Sequence, residues 1–235
     1  MKISPTLTEV KEIAKTGKYD ILPVSCEILS DFITPIEAMR ILQNVSTHCY
    51  LLESAQANEA WGRYTFLGYD PKLEINCIDG HMKLGKLSVE TENPSEYIRQ
   101  ILSEYKSPKF DYLPSFTGGL VGYFSYDYLG YKEKSIRGKA RDTEDFKDVD
   151  LMLFDKVIAF DNLCQKIILI ANMSLDAPET GYNKAIVELK QLRELLMHGE
   201  KKQNMGGKLF GEVTPLFDKE QYLSLIHISE PTRQE

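Results

Sequence analysis

The chain has 235 residues, 43% hydrophobic and 27% charged, which is ordinary for a globular protein and long enough for one large domain or a domain and part of another. A net charge of −7 argues against a general nucleic-acid or membrane-surface binder. No run approaches the roughly 18 apolar residues of a membrane span. The start from Lys2 to Lys18 lacks the apolar centre of a signal peptide, so the chain reads as cytoplasmic, with neither nucleic acid nor membrane as partner.

In chain order, Thr8 to Lys15 is expected as a short helix stopped by Gly17, and Ile21 to Leu29 as a strand. Thr34-Pro35-Ile36-Glu37 is a capping box with proline at the first helical position, opening a helix to about Val45. Strands are expected at Cys49–Glu53, Arg63–Tyr69 and Lys72–Ile78. The hairpin signal Asp79-Gly80 joins the last of these to His81–Leu87. Asn93-Pro94-Ser95-Glu96 opens a helix to about Tyr105. Two strands follow, Gly119–Tyr126 and Leu151–Phe160, then an Asp161-Asn162 turn and a strand Lys166–Asn172. Pro178 to Met197 is an amphipathic helix with Ile186, Leu189, Leu192, Leu195 and Leu196 on one face, closed by Gly199. Gly199 to Lys208 reads as a linker. Hairpin-joined strands with interspersed helices and no βαβ rhythm predict an α+β fold, a layered antiparallel sheet covered by helices.

The residues offer few candidates for chemistry. Cys26, Cys49, Cys77 and Cys164 lack metal-site spacing and read as reduced thiols; His48, His81 and His198 form no ligand cluster. Gly118, Gly119 and Gly122 sit inside a strand pattern without a GK[ST] ending, so close backbone approach is expected rather than a phosphate loop. Asp142, Glu144, Asp145, Asp148 and Asp150 lie among Arg141 and Lys147 and read as a solvated loop, not a metal site. Ser54 and Ser125 have no recognisable nucleophile–base arrangement. Glu53-Ser54, at the end of the apolar run Cys49-Tyr50-Leu51-Leu52, is different. A carboxylate and a hydroxyl at the mouth of a buried strand suit an ammonium group and a small polar ligand. From LLES by itself, two solvated residues at a strand end remain the plainer reading.

The surrounding sequence shifts that balance. LLES followed by WGRYTFLGYDP resembles the amino-terminal region of the large component of the anthranilate synthase family. Thr117 to Asp127 is similar to that family's GGxxGYxxYD segment, and Asp150–Asp155 with Val157–Asp161 to its following strand pair. The resemblance runs from about Tyr19 to Tyr222. It implies a layered antiparallel domain from a lyase that converts chorismate to anthranilate for tryptophan synthesis. The family enzyme uses Mg2+ and takes ammonia from a glutamine amidotransferase subunit. The LLES segment contributes to the site for the feedback inhibitor tryptophan. Carried over, Glu53 would face the ligand's ammonium group, Ser54 would hydrogen-bond a polar group, and Leu52 would pack on the indole. Arg63 or Tyr64 would close the pocket. The remaining inhibitor contacts and the catalytic residues are implied to lie in a further domain.

Leu223 to Arg233, LSLIHISEPTR, reads as the in-frame translation of a transposase-type sequencing adapter. The expected organisation is therefore a regulatory domain over 1–200, a linker and the opening of a chorismate-binding domain over 201–222, and a non-native tail over 223–235. On that division no catalytic residue or metal ligand is assigned here, and the chain alone is expected to be inactive. Two other readings stay open: an aminodeoxychorismate synthase fragment of the folate branch, and a non-catalytic amino-acid-binding module.

Overall fold

Among the described residues, every strand pairing in this computed structural model is antiparallel, and the strands form two sheets. The structure describes residues 2–54, 62–133, 135, 146–202, 206–207 and 210–229. The six-stranded sheet contains β1 (Ile3–Ser4), β2 (Ile21–Leu29), β3 (Cys49–Leu52), β4 (Tyr64–Tyr69), β10 (Lys156–Asp161) and β11 (Lys166–Ser174), in the order β1-β2-β11-β10-β4-β3. The five-stranded sheet contains β5 (Leu73–Ile78), β6 (His81–Leu84), β7 (Leu87–Glu90), β8 (Gly119–Phe124) and β9 (Val149–Phe154), in the order β7-β6-β5-β9-β8. With its helices, this is the α+β class that the sequence predicts.

Four helices cover the sheets: α1 (Leu7–Lys15), α2 (Pro35–Val45), α3 (Pro94–Ser103) and α4 (Pro178–His198). Thr6 and Thr34 both close capping boxes, with Glu9 and Glu37 reaching back to them. The main core joins α1, α2 and α4 to one face of the six-stranded sheet through Val10, Ile41, Leu42, Leu67, Leu169 and Leu189, all buried. The opposite face carries Val157, Ala159, Ile168 and Ile170, with Phe66 and Phe116 packed on them. Burial of both faces explains why β10 and β11 read as nearly unbroken apolar runs. α3 covers the five-stranded sheet through Ile98, beside Ile75, Met82 and Leu151.

The apolar run Leu151–Phe160, expected as one strand, is two strands in different sheets, divided at Asp155. β4 and β5 make the parallel crossing on the neighbouring strand, with Asp70 at φ 53°. Lys156 Nζ bonds Asp70 Oδ2 at 2.9 Å, tying the two crossings together. The segment His81–Leu87 is likewise a strand end and a second hairpin, turned at Gly85 with φ 59°. Gly119–Tyr126 stops at Phe124, and Tyr126–Tyr131 forms a 3-10 helix capped by Ser125. At Gly122 a Cβ would stand 1.9 Å from the Asp150 carbonyl oxygen, so the glycine is there for close approach of β8 to β9. Gly199 has no left-handed conformation; a side chain there would meet Leu195 and Ile41 instead.

Residues Met1–Lys202 form one compact unit and Gln203–Glu235 a second. Within the second, α5 (Lys219–Ser229) begins where Asp218 Oδ1 accepts from Gln221 N at 2.7 Å, and Tyr222, Leu223 and Leu225 are exposed. Of the acidic cluster, Asp142, Glu144 and Asp145 lie outside the described residues. Asp148 accepts from Tyr131 Oη at 2.7 Å and from Asp79 N at 2.8 Å, while Asp150 pairs with Lys147.

Candidate functional site

β3 is an edge strand, and its register with β4 sets Cys49 opposite Tyr69 and Leu52 opposite Phe66. Tyr50 and Leu52 point to the same face, as alternate residues of a strand must. Tyr50 is buried there, its ring 4.7 Å from that of Phe154 and edge-on to Phe116. Burial pushes its phenol well above the ordinary range. Leu52 is 47% exposed and lines an apolar cleft of about 420 Å³. Ile98 and Leu102 of α3, Phe116, and Leu120 and Phe124 of β8 supply other parts of its wall. A concavity of this size and apolar lining is what a small aromatic ligand requires. Glu53 and Ser54 follow Leu52 directly and are both exposed.

Arg63 is committed elsewhere. It holds Asp161 bidentately, Nε to Oδ1 at 3.0 Å and Nη2 to Oδ2 at 2.7 Å. Asp161 is only 3% exposed and also accepts from Leu163 N and Cys164 N, both at 3.1 Å. Burial alone would raise the Asp161 carboxyl, but the Arg63 and backbone hydrogen bonds outweigh it and hold the group below its ordinary range. The pair locks the turn after β10 to the start of β4. Tyr64 stands under the Arg63 guanidinium, 4.9 Å from ring centroid to Cζ, and packs toward Phe66. Leu52, Phe66 and Tyr64 therefore share one face through the β3–β4 register, while Arg63 is drawn toward β10. The sequence reading missed Asp161 and the walls from α3 and β8. They come from segments distant in sequence, and only the glycines at the start of and within β8 hinted at a close approach.

Among the described residues, no three His, Cys, Asp or Glu side chains are grouped to hold a metal ion. No helix among them is long and apolar enough to cross a membrane. Residues 47–229 match the family model for chorismate binding enzyme. The chain belongs to the chorismate binding enzyme family. It is 34% identical over 198 residues to anthranilate synthase component 1 of Acetivibrio thermocellus, covering 82% of this chain and 39% of the relative. With anthranilate synthase component 1 of Pseudomonas aeruginosa it is 36% identical over 196 residues, covering 80% and 39%. The crystal structure of anthranilate synthase component I from Streptococcus pneumoniae TIGR4 superposes with a TM-score of 0.46 at 25% identity, over 71% of this chain and 36% of that one. The chain thus spans about two fifths of the length of the curated relatives it matches.

Proposed function

We propose that this chain is the amino-terminal, tryptophan-sensing part of an anthranilate synthase component I. The observation that carries the reading is the position of Leu52 in the wall of the apolar cleft, with exposed Glu53 and Ser54 next in the chain. In this reading the indole lies in the cleft against Leu52, the ammonium group faces Glu53, and Ser54 holds a polar group of the ligand. Tyr64 and Arg63 shape the neighbouring rim, with Arg63 acting through Asp161. The names of the relatives favour this branch over aminodeoxychorismate synthase.

The longer enzyme would be a lyase that converts chorismate to anthranilate, with ammonia from a glutamine amidotransferase subunit. Its Mg2+ and catalytic groups would be held by residues outside this chain, which on its own binds tryptophan and turns nothing over. The test is an amide-resolved NMR titration of the 235-residue chain with L-tryptophan, with L-alanine as control. Saturable shifts at Tyr50–Ser54 and Leu120–Phe124 with tryptophan only are expected. Shifts elsewhere, or equal shifts with alanine, would remove the ligand from this cleft.

A further inference from the structure

A second groove, about 410 Å³, lies between α1 and the loop after α3, with Pro5, Glu9, Glu12, Ile13, Phe110 and Tyr112 in its lining. Phe110 and Tyr112 stack, their centroids 5.2 Å and their planes 26° apart, and Tyr112 is 46% exposed. Glu9 and Glu12 stand three residues apart on α1, hence on one side of the helix. Both cap bonds of Glu9, from Thr6 N at 2.7 Å and Thr6 Oγ1 at 2.8 Å, use Oε2. The lysines of α1 are occupied: Lys11 bonds Glu179, and Lys15 bonds Glu12 at 2.7 Å. Burial and then the Glu9 charge push the Tyr112 phenol up to about 12, so a carboxylate field reaches the ring.

An aromatic stack flanked by carboxylates favours a flat cation over a compact one. A guanidinium group stacks on ring faces and bonds carboxylates in a planar fork, whereas an ammonium is a strongly hydrated point charge. We propose that this groove binds an arginine side chain presented by a partner polypeptide, stacked on Phe110–Tyr112 with its guanidinium toward Glu9. Glu12 is paired with Lys15, so the carboxylate left to meet the guanidinium is that of Glu9, and free arginine suits the site less because it would bring its own carboxylate toward Glu9. Within a peptide that group is a neutral amide.

The experiment titrates the full chain with N-acetylarginine amide, N-acetylarginine and N-acetyllysine amide, followed by amide NMR. Saturable shifts confined to residues 4–13 and 109–113 are expected with the first compound, with the other two weaker by about fivefold. Tyr112→Leu alters an exposed side chain. Glu9→Gln keeps a residue type that closes capping boxes, so both variants should retain native spectra. Each should weaken the arginine amide by about threefold or more. Absence of a saturable shift, equal affinity for all three compounds, or unchanged binding in both natively folded variants would overturn the proposal.

Discussion

The ring of Tyr50 lies across Gly68, its strand partner, so closely that a Cβ on Gly68 would come within 2.2 Å of Tyr50 Cε1. Gly68 has no positive φ, so its role is space and not backbone freedom. Gly68→Ala should therefore cost about 2 kcal/mol by overpacking. It should also shift the β3 end that carries Leu52. Tyr50→Phe should be neutral or stabilising by up to about 1 kcal/mol, because the buried hydroxyl has no protein partner among the described residues. Urea unfolding of the two variants separates these effects. A Gly68→Ala protein as stable as wild type would show that the ring can move at no cost.

The Arg63–Asp161 pair gives a pH signature. The Asp161 carboxyl titrates below its ordinary value of 3.8 in the folded state. Its contribution to stability is therefore fully present above about pH 4–5 and is lost as pH falls through the lower, folded value. Arg63→Leu leaves a buried charge without its guanidinium and should cost about 3 kcal/mol at neutral pH. The difference between wild type and variant should shrink below about pH 3. Thermal melts from pH 7 to 2.5 measure it, and a constant difference across that range would detach the pair from stability.

How much was legible in the sequence follows from how local each signal was. The Thr34–Glu37 capping box, the Asp79-Gly80 hairpin and the amphipathic face of α4 are set by neighbours within a turn or two, and each folds as the residues suggest, whereas the Thr6–Glu9 box that opens the first helix at Leu7 was not read. The change of sheet at Asp155 was not legible in the hydrophobic pattern, because Leu151 to Phe160 is apolar on both sides of it; only the resemblance divided the run into a strand pair there. What divides the run is the different partners, Leu73–Cys77 on one side and Tyr64–Leu67 on the other. The bond from Arg63 to Asp161 was out of reach for the same reason: the partner is 98 positions away. Leu52 could be placed at a strand end, but the walls of its cleft from α3 and β8 could not.

Purified alone, the 235-residue chain should give no chorismate-dependent anthranilate fluorescence, with either ammonia or glutamine. The chain spans about two fifths of the length of its curated relatives, and on the proposed reading the catalytic groups lie in the remainder. Co-purifying turnover above the buffer background would mean that the division of labour proposed here is mistaken.

In an intact enzyme carrying this amino-terminal unit, Ser54→Ala or Glu53→Gln should weaken inhibition by tryptophan and leave uninhibited turnover nearly unchanged. Both side chains are exposed beyond the end of β3, so their loss opens no core cavity and folding should survive. On the proposed reading each substitution removes a polar contact to the ligand, worth about 1.5–3 kcal/mol when one partner is charged. Each 1.4 kcal/mol lost raises the inhibitory concentration about tenfold. Feedback is a coupling free energy, typically about 1–3 kcal/mol and reciprocal for binding, so chorismate should also weaken tryptophan binding in the wild type. Inhibition curves at matched chorismate decide the matter. Superimposable curves for wild type and Ser54→Ala would remove Ser54 from the pocket, and an equal loss of basal turnover would make it a folding residue rather than a sensor.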